Sequence, residues 1–75
     1  MKLIDTYNKY KKIYKDYVVL IKSGIFYEVF NDDVGIMYSF FHYKIKYNGN
    51  NYVVGFPCSN IEYVCSVLKK IISVI

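Results

Sequence analysis

Apolar side chains recur along this chain with a helical period in some stretches and a period of two in others, and the switches between them mark its elements. Tyr7, Tyr10, Ile13, Tyr14 and Tyr17 fall at helical spacing, with Lys9, Lys11, Lys12 and Lys15 left for the wet side and Asp5 or Thr6 placed to cap the first turn. The run VVLIK follows, bounded by Ser23-Gly24, and then IFYEVF; together they predict two strands joined by a tight turn. In the second strand, alternation sets Ile25, Tyr27 and Val29 on one face, which reads as core. Phe26, Glu28 and Phe30 share the other face, so a carboxylate stands between two large rings. That is a local inconsistency of the kind found at sites.

Asn31 or Asp32 ends this strand and can cap a helix in which Val34, Met37, Tyr38 and Phe41 share a stripe, with Asp32 and Asp33 complementing the helix dipole. Gly35 weakens that helix by about 1 kcal/mol relative to alanine without breaking it. HYKIKY alternates again, with Tyr43, Ile45 and Tyr47 opposite His42, Lys44 and Lys46, and Asn48-Gly49 signals a hairpin spanning Tyr43 to Phe56. Pro57, which has no N–H to give to a ladder, ends the returning strand. Ser59-x-x-Glu62 has the form of a capping box ahead of Ile61, Val64, Cys65 and Leu68. The final IISVI is compatible with helix or strand, and its β-branched content favours a short strand. The pattern predicts one small α/β (α+β) domain over residues 1–75, with a mixed β-sheet that includes a hairpin and packs against about three helices.

Composition narrows the function classes. At 75 residues and 55% hydrophobic, with ten Tyr and five Phe, the chain is too apolar to be disordered, yet it is short enough that its core is modest. The net charge of +4 suits a nucleic-acid or other anionic surface without identifying either, and it also suits plain solubility. No arginine is present, which removes the usual bidentate reader of guanine edges. No apolar run is long enough for a membrane span, and the N-terminus lacks the apolar stretch of a signal peptide, so a cytoplasmic protein is expected. Cys58 and Cys65 lack the spacing of a zinc or redox motif and read as buried reduced thiols. His42, the single histidine, has no acid or nucleophile near it in sequence, and no phosphate-cradling loop occurs. We expect no catalysis, no cofactor and no metal.

Phe26 and Glu28 have two readings. Phe26 could pack under a helix while Glu28 reaches solvent at a sheet edge. Alternatively, an exposed ring with an adjacent acceptor forms a base-stacking device, since unstacking a duplex step costs a few kcal/mol and a mispaired step costs less. Spacing alone leaves both open.

The string Lys22-x-Gly24-x-Phe26-Tyr27-Glu28, followed by Asp32-Asp33, resembles the mismatch-sensing motif in the N-terminal domain of the MutS family of DNA mismatch repair proteins. A second block, Gly55-Phe56-Pro57 with Glu62 and Leu68 in the helix beyond, resembles that family's Gly-Ile-Pro segment. The likeness runs from about Tyr7 to the C-terminus. It implies that Phe26 stacks on a mispaired base of double-stranded DNA, that Glu28 accepts a hydrogen bond from it, and that Gly24 shapes the turn before them. Lys22, Lys44 and Lys46 are then the candidates for phosphate contacts, and Gly24, Gly55 and Pro57 serve the motif's backbone. The sequence departs from the family at Ile25, where bacterial members usually have Asp, at Ser59, where histidine is common, and in a shortened hairpin region. The family's connector, lever, clamp and ATPase domains are not in this sequence, so a stand-alone short form would bind mismatched or distorted DNA only weakly. A protein-interaction module, or an inactive remnant that keeps the fold, are the alternatives.

Overall fold

Gly24 makes the first strand pair possible. In the computed structural model, which describes residues 2–74, β1 (Val18–Ser23) and β2 (Phe26–Phe30) pair antiparallel through Ile21↔Glu28, Lys22↔Tyr27 and Ser23↔Phe26. This leaves a two-residue loop whose first position, Gly24, has φ +61°, a conformation that a side chain would strain. Ile25 is the loop's tip and is 75% exposed, so it does not belong to the core face that strand alternation assigns it.

Around this pair the remaining elements are α1 (Leu3–Ile13), α2 (Val34–Phe41), β3 (Lys46–Tyr47), β4 (Tyr52–Pro57), α3 (Ile61–Val67) and β5 (Ile71–Val74), with 3₁₀ turns at Asn31–Asp33 and Cys58–Asn60. The sheet has five strands in the order β3-β4-β2-β1-β5. β5 runs parallel to β1 and the other pairs are antiparallel, so the sheet is mixed, as expected of the α/β reading. Residues 71–74 form the expected last strand, and Ile75 lies outside the described residues. No described helix is long and apolar enough to cross a membrane.

Both faces of the sheet carry core, which explains the dense hydrophobicity of β1. On one face Leu20, Tyr27, Val29, Val54 and Phe56 pack with Val34 and Met37 of α2 and with Val64 and Leu68 at α3. On the other face Val19, Ile21 and Phe30 pack with Tyr7 of α1, and the rings of Tyr7 and Phe30 stand 5.5 Å apart. Phe30 is therefore buried, at 5% exposure, although it shares the face of the exposed Phe26.

Several sequence expectations change at element ends. α1 begins at Leu3, with no side-chain cap, and stops at Ile13, so Leu3, Tyr7 and Tyr10 form its inner face while Ile13 and Tyr17 are exposed. Lys11 turns inward rather than to solvent. Tyr38 of α2 points outward, whereas Val34, Met37 and Phe41 pack inward. The Ser59/Glu62 capping box is not made, because a 3₁₀ turn precedes α3 and Asn60 takes the cap position without a side-chain bond. Cys65 is exposed and Cys58 half-buried, so neither thiol is a core residue. The hairpin forms at Asn48-Gly49 but is short. Only Lys46↔Val53 and Tyr47↔Tyr52 pair, and Tyr43 leaves the alternation to stack on Phe56 and Phe41. The Asn48 side chain accepts from the Asn50 and Asn51 N–H groups and closes the four-residue loop that follows Tyr47.

Candidate nucleic-acid interface

The face of the sheet that α1 covers is covered only in part. α1 lies over β1 and the far end of β2, and beyond it the same face continues through Phe26 and Glu28 of β2 to β4. Residues paired across an antiparallel ladder share a face, so the partners Ser23↔Phe26, Phe26↔Pro57 and Glu28↔Gly55 place Ser23, Gly55 and Pro57 beside them. Lys46 pairs with Val53, which itself pairs with Phe30, and so stands on this face as well. The result is an open groove of about 470 Å³ lined by Ser23, Phe26, Glu28, Tyr43, Lys44, Lys46, Val53 and Gly55.

Each wall of this groove has a local cause. The Gly24-Ile25 turn sets the start of β2, which leaves Phe26 as the first residue of its strand and 44% exposed. Pro57 pairs with Phe26 as the last residue of β4, and beyond it the Cys58 N–H donates to the Ile25 carbonyl at 2.8 Å, holding the two strand ends together. Glu28 is half-buried, and its carboxylate has no hydrogen-bond or ion-pair partner among the described residues. Tyr43, not anticipated in the sequence, forms the third wall. Its ring is held between Phe41, at 5.3 Å, and Phe56, at 5.6 Å, and its hydroxyl accepts from Asn60 Nδ2 at 3.4 Å.

The structure thus brings Phe26, Glu28, Lys44, Lys46 and Gly55 into one groove, with Gly24 and Pro57 shaping its end. Lys22 is not among them. It pairs with Tyr27 and sits on the opposite face of the sheet, exposed. Among the described residues no group of His, Cys, Asp and Glu side chains could hold a metal ion.

A second polar feature lies under α1, where the sequence suggested only a helix dipole effect. Asp33 is 5% exposed and accepts from Tyr7 Oη at 2.7 Å, Lys11 Nζ at 2.8 Å and the Val19 N–H at 3.1 Å. The Val19 N–H lies beyond the last β1–β2 pair, so Asp33 replaces a ladder bond. Burial, and then the hydrogen bond to Asp33, push the Tyr7 phenol well above its ordinary pKa. Lys11 also donates to the Tyr17 carbonyl at 2.7 Å, which ties the end of α1 to the start of β1. The acid-lysine spacing gives no hint of this network, because its members lie in separate elements. It orients α1, and so sets where the covered part of the face stops.

Residues 1–74 match the model of one protein family, described as MutS domain I. A search for relatives among curated proteins returns no match.

Proposed function

The chain belongs to the MutS domain I family, and from that premise we propose that it is a DNA-binding module that engages mismatched or distorted duplex through Phe26 and Glu28. The observation that carries this reading is the Glu28 carboxylate, without a partner among the described residues, on the same open strand face as the exposed Phe26 ring. A ring at the end of a strand can enter a base step without backbone collision, and an acceptor two residues along reaches the edge of the base it stacks on. Lys44 and Lys46, at the groove's rim, supply positive charge toward phosphate. Lys22, on the other face, is left out of this contact set. The module carries out no catalysis and takes no cofactor.

With so few cations, binding is weak and salt-dependent, on the order of 10⁻⁴ M. The test is a titration of labelled mismatched and matched duplexes at two salt concentrations, with wild type and Phe26→Ala. A stacked ring contributes roughly 1 to 3 kcal/mol, so Phe26→Ala removes the preference for the mismatch and leaves the salt-dependent part. Equal binding of both duplexes by the wild type sinks the reading.

A second reading rests on α2 and α3, where Tyr38, Phe40 and Tyr63 are exposed. Such a surface suits a protein partner, and loss of partner binding in Phe40→Ser with DNA binding intact would favour it.

A further inference from the structure

Gly55 stands in the middle of β4, directly opposite Glu28, and nothing in the fold requires a glycine there. Its backbone is outside the left-handed region that favours glycine. A Cβ built at Gly55 meets only the Tyr27 carbonyl oxygen, at 3.7 Å, which is ordinary van der Waals contact. Glycine inside a strand weakens it through backbone entropy and a missing side chain, and where the ladder register is unbroken, as it is from Phe26↔Pro57 to Phe30↔Val53, such a glycine often marks a close approach by a ligand or another backbone. Among the described residues no other segment crowds this position, so no close approach is made there by the described chain itself.

What the missing side chain does provide is space beside a carboxylate. Directly opposed residues on one face of an antiparallel pair have Cβ atoms about 4.5–5.5 Å apart, so a β-branched residue at position 55 would stand against Glu28 and narrow the floor between Phe26 and Lys46. The neighbours along the same face of β4 are Val53 and Pro57, both with side chains, which leaves Gly55 as the one bare point in that row.

We propose that Gly55 is a specificity-determining residue of the groove: its bare backbone admits the edge of a planar, hydrogen-bond-donating base to the Glu28 carboxylate while that base is stacked on Phe26. This rests on the DNA-binding reading above and assigns to Gly55 a part in choosing the ligand rather than in shaping the strand. A flat ring edge passes over a glycine floor, and a side chain at that point lifts the edge away from the acceptor. Stacking on Phe26 and the lysine contacts are unaffected, so general DNA binding persists while discrimination is lost.

The experiment measures thermal midpoint and duplex binding for wild type, Gly55→Ala and Gly55→Val, using one mismatched and one matched duplex of the same length at two salt concentrations. Gly55→Ala is expected to melt no lower than wild type and to lose several-fold of the mismatch preference. Gly55→Val is expected to lose the preference while the slope of log affinity against log salt stays the same, because phosphate contacts set that slope. A lower melting temperature in Gly55→Ala overturns the inference, since the glycine would then serve the backbone. Full preference retained in folded Gly55→Ala and Gly55→Val overturns it as well. A wild type without any preference defeats the DNA-binding reading itself and takes this inference with it, whereas a wild-type preference that both variants retain defeats Gly55 alone.

Discussion

The two ends of β2 place a phenylalanine and a nearby carboxylate on the α1 side of the sheet, and they treat them in opposite ways. At the Phe30 end, the ring is buried against Tyr7, and Asp33 just beyond it accepts three hydrogen bonds under α1. At the Phe26 end, the ring is half in solvent and Glu28 has no partner among the described residues. Each end sets a phenylalanine near an acid, and what differs is whether a helix covers them. A fully partnered buried carboxylate belongs to folding, whereas an unpartnered one beside an open ring keeps its acceptor capacity for something else.

The comparison can be broken most forcefully at Asp33. Asp33→Ala leaves the Lys11 ammonium, the Tyr7 hydroxyl and the Val19 N–H without their shared acceptor, and removal of one partner of a buried pair costs about 3–5 kcal/mol. That is most of the stability of a domain this small, so its urea midpoint falls sharply or the variant is unfolded by circular dichroism. Glu28→Ala, by contrast, shifts stability little, within about 0.5 kcal/mol, as read in the same denaturation series.

The two rings form the next pair. Phe30→Ala creates a cavity under α1 at a cost of about 3–5 kcal/mol. Phe26→Ala, on the open end, costs less than about 1.5 kcal/mol, since much of the ring is already in water. Equal losses in denaturant unfolding would show that the two ends are the same kind of structure.

These positions also show what the sequence could and could not reveal. Alternation placed Phe26, Glu28 and Phe30 on one face, and the Asn48-Gly49 turn placed the hairpin, because both follow from backbone periods. Nothing local separates Phe26 from Phe30, since their difference is made by where α1 ends, and that is set by Asp33, Tyr7 and Lys11 meeting from separate elements. Tyr43 escaped alternation for the same reason. Its place follows from stacking on Phe56, a partner in another strand. The face of Lys22 follows from register, which a two-residue turn fixes only once the turn's own residues are known.

A smaller effect sharpens the covered end. Tyr7→Phe removes one donor to Asp33 and costs about 1 kcal/mol at neutral pH. Because burial raises the folded-state pKa of Tyr7 above its unfolded value of 10.0, its stabilising contribution is complete below that pH and is lost progressively as pH rises above it. The difference in stability between wild type and Tyr7→Phe therefore shrinks between neutral pH and about pH 11, as read from urea midpoints. A difference that is constant over that range would contradict the network's role.

The smallest effect lies at the rim of the open end. Lys44→Gln and Lys46→Gln should each lower the slope of log affinity against log salt by about 0.9 if each meets one phosphate of a duplex. Lys22→Gln, on the other face, should leave the slope unchanged.

On the proposed function, the uncovered end of this sheet face binds DNA and the covered end does not. Amide chemical-shift mapping of the wild-type protein with a mismatched duplex tests it directly. The predicted result is a set of perturbations confined to Phe26, Glu28, Tyr43, Lys44, Lys46 and Gly55, with Tyr7, Val19 and Asp33 unmoved. Perturbations centred instead on Tyr38, Phe40 and Tyr63, or on the cleft beside α1 lined by Asn8, Lys11, Lys12, Lys15 and Asp32, would contradict it.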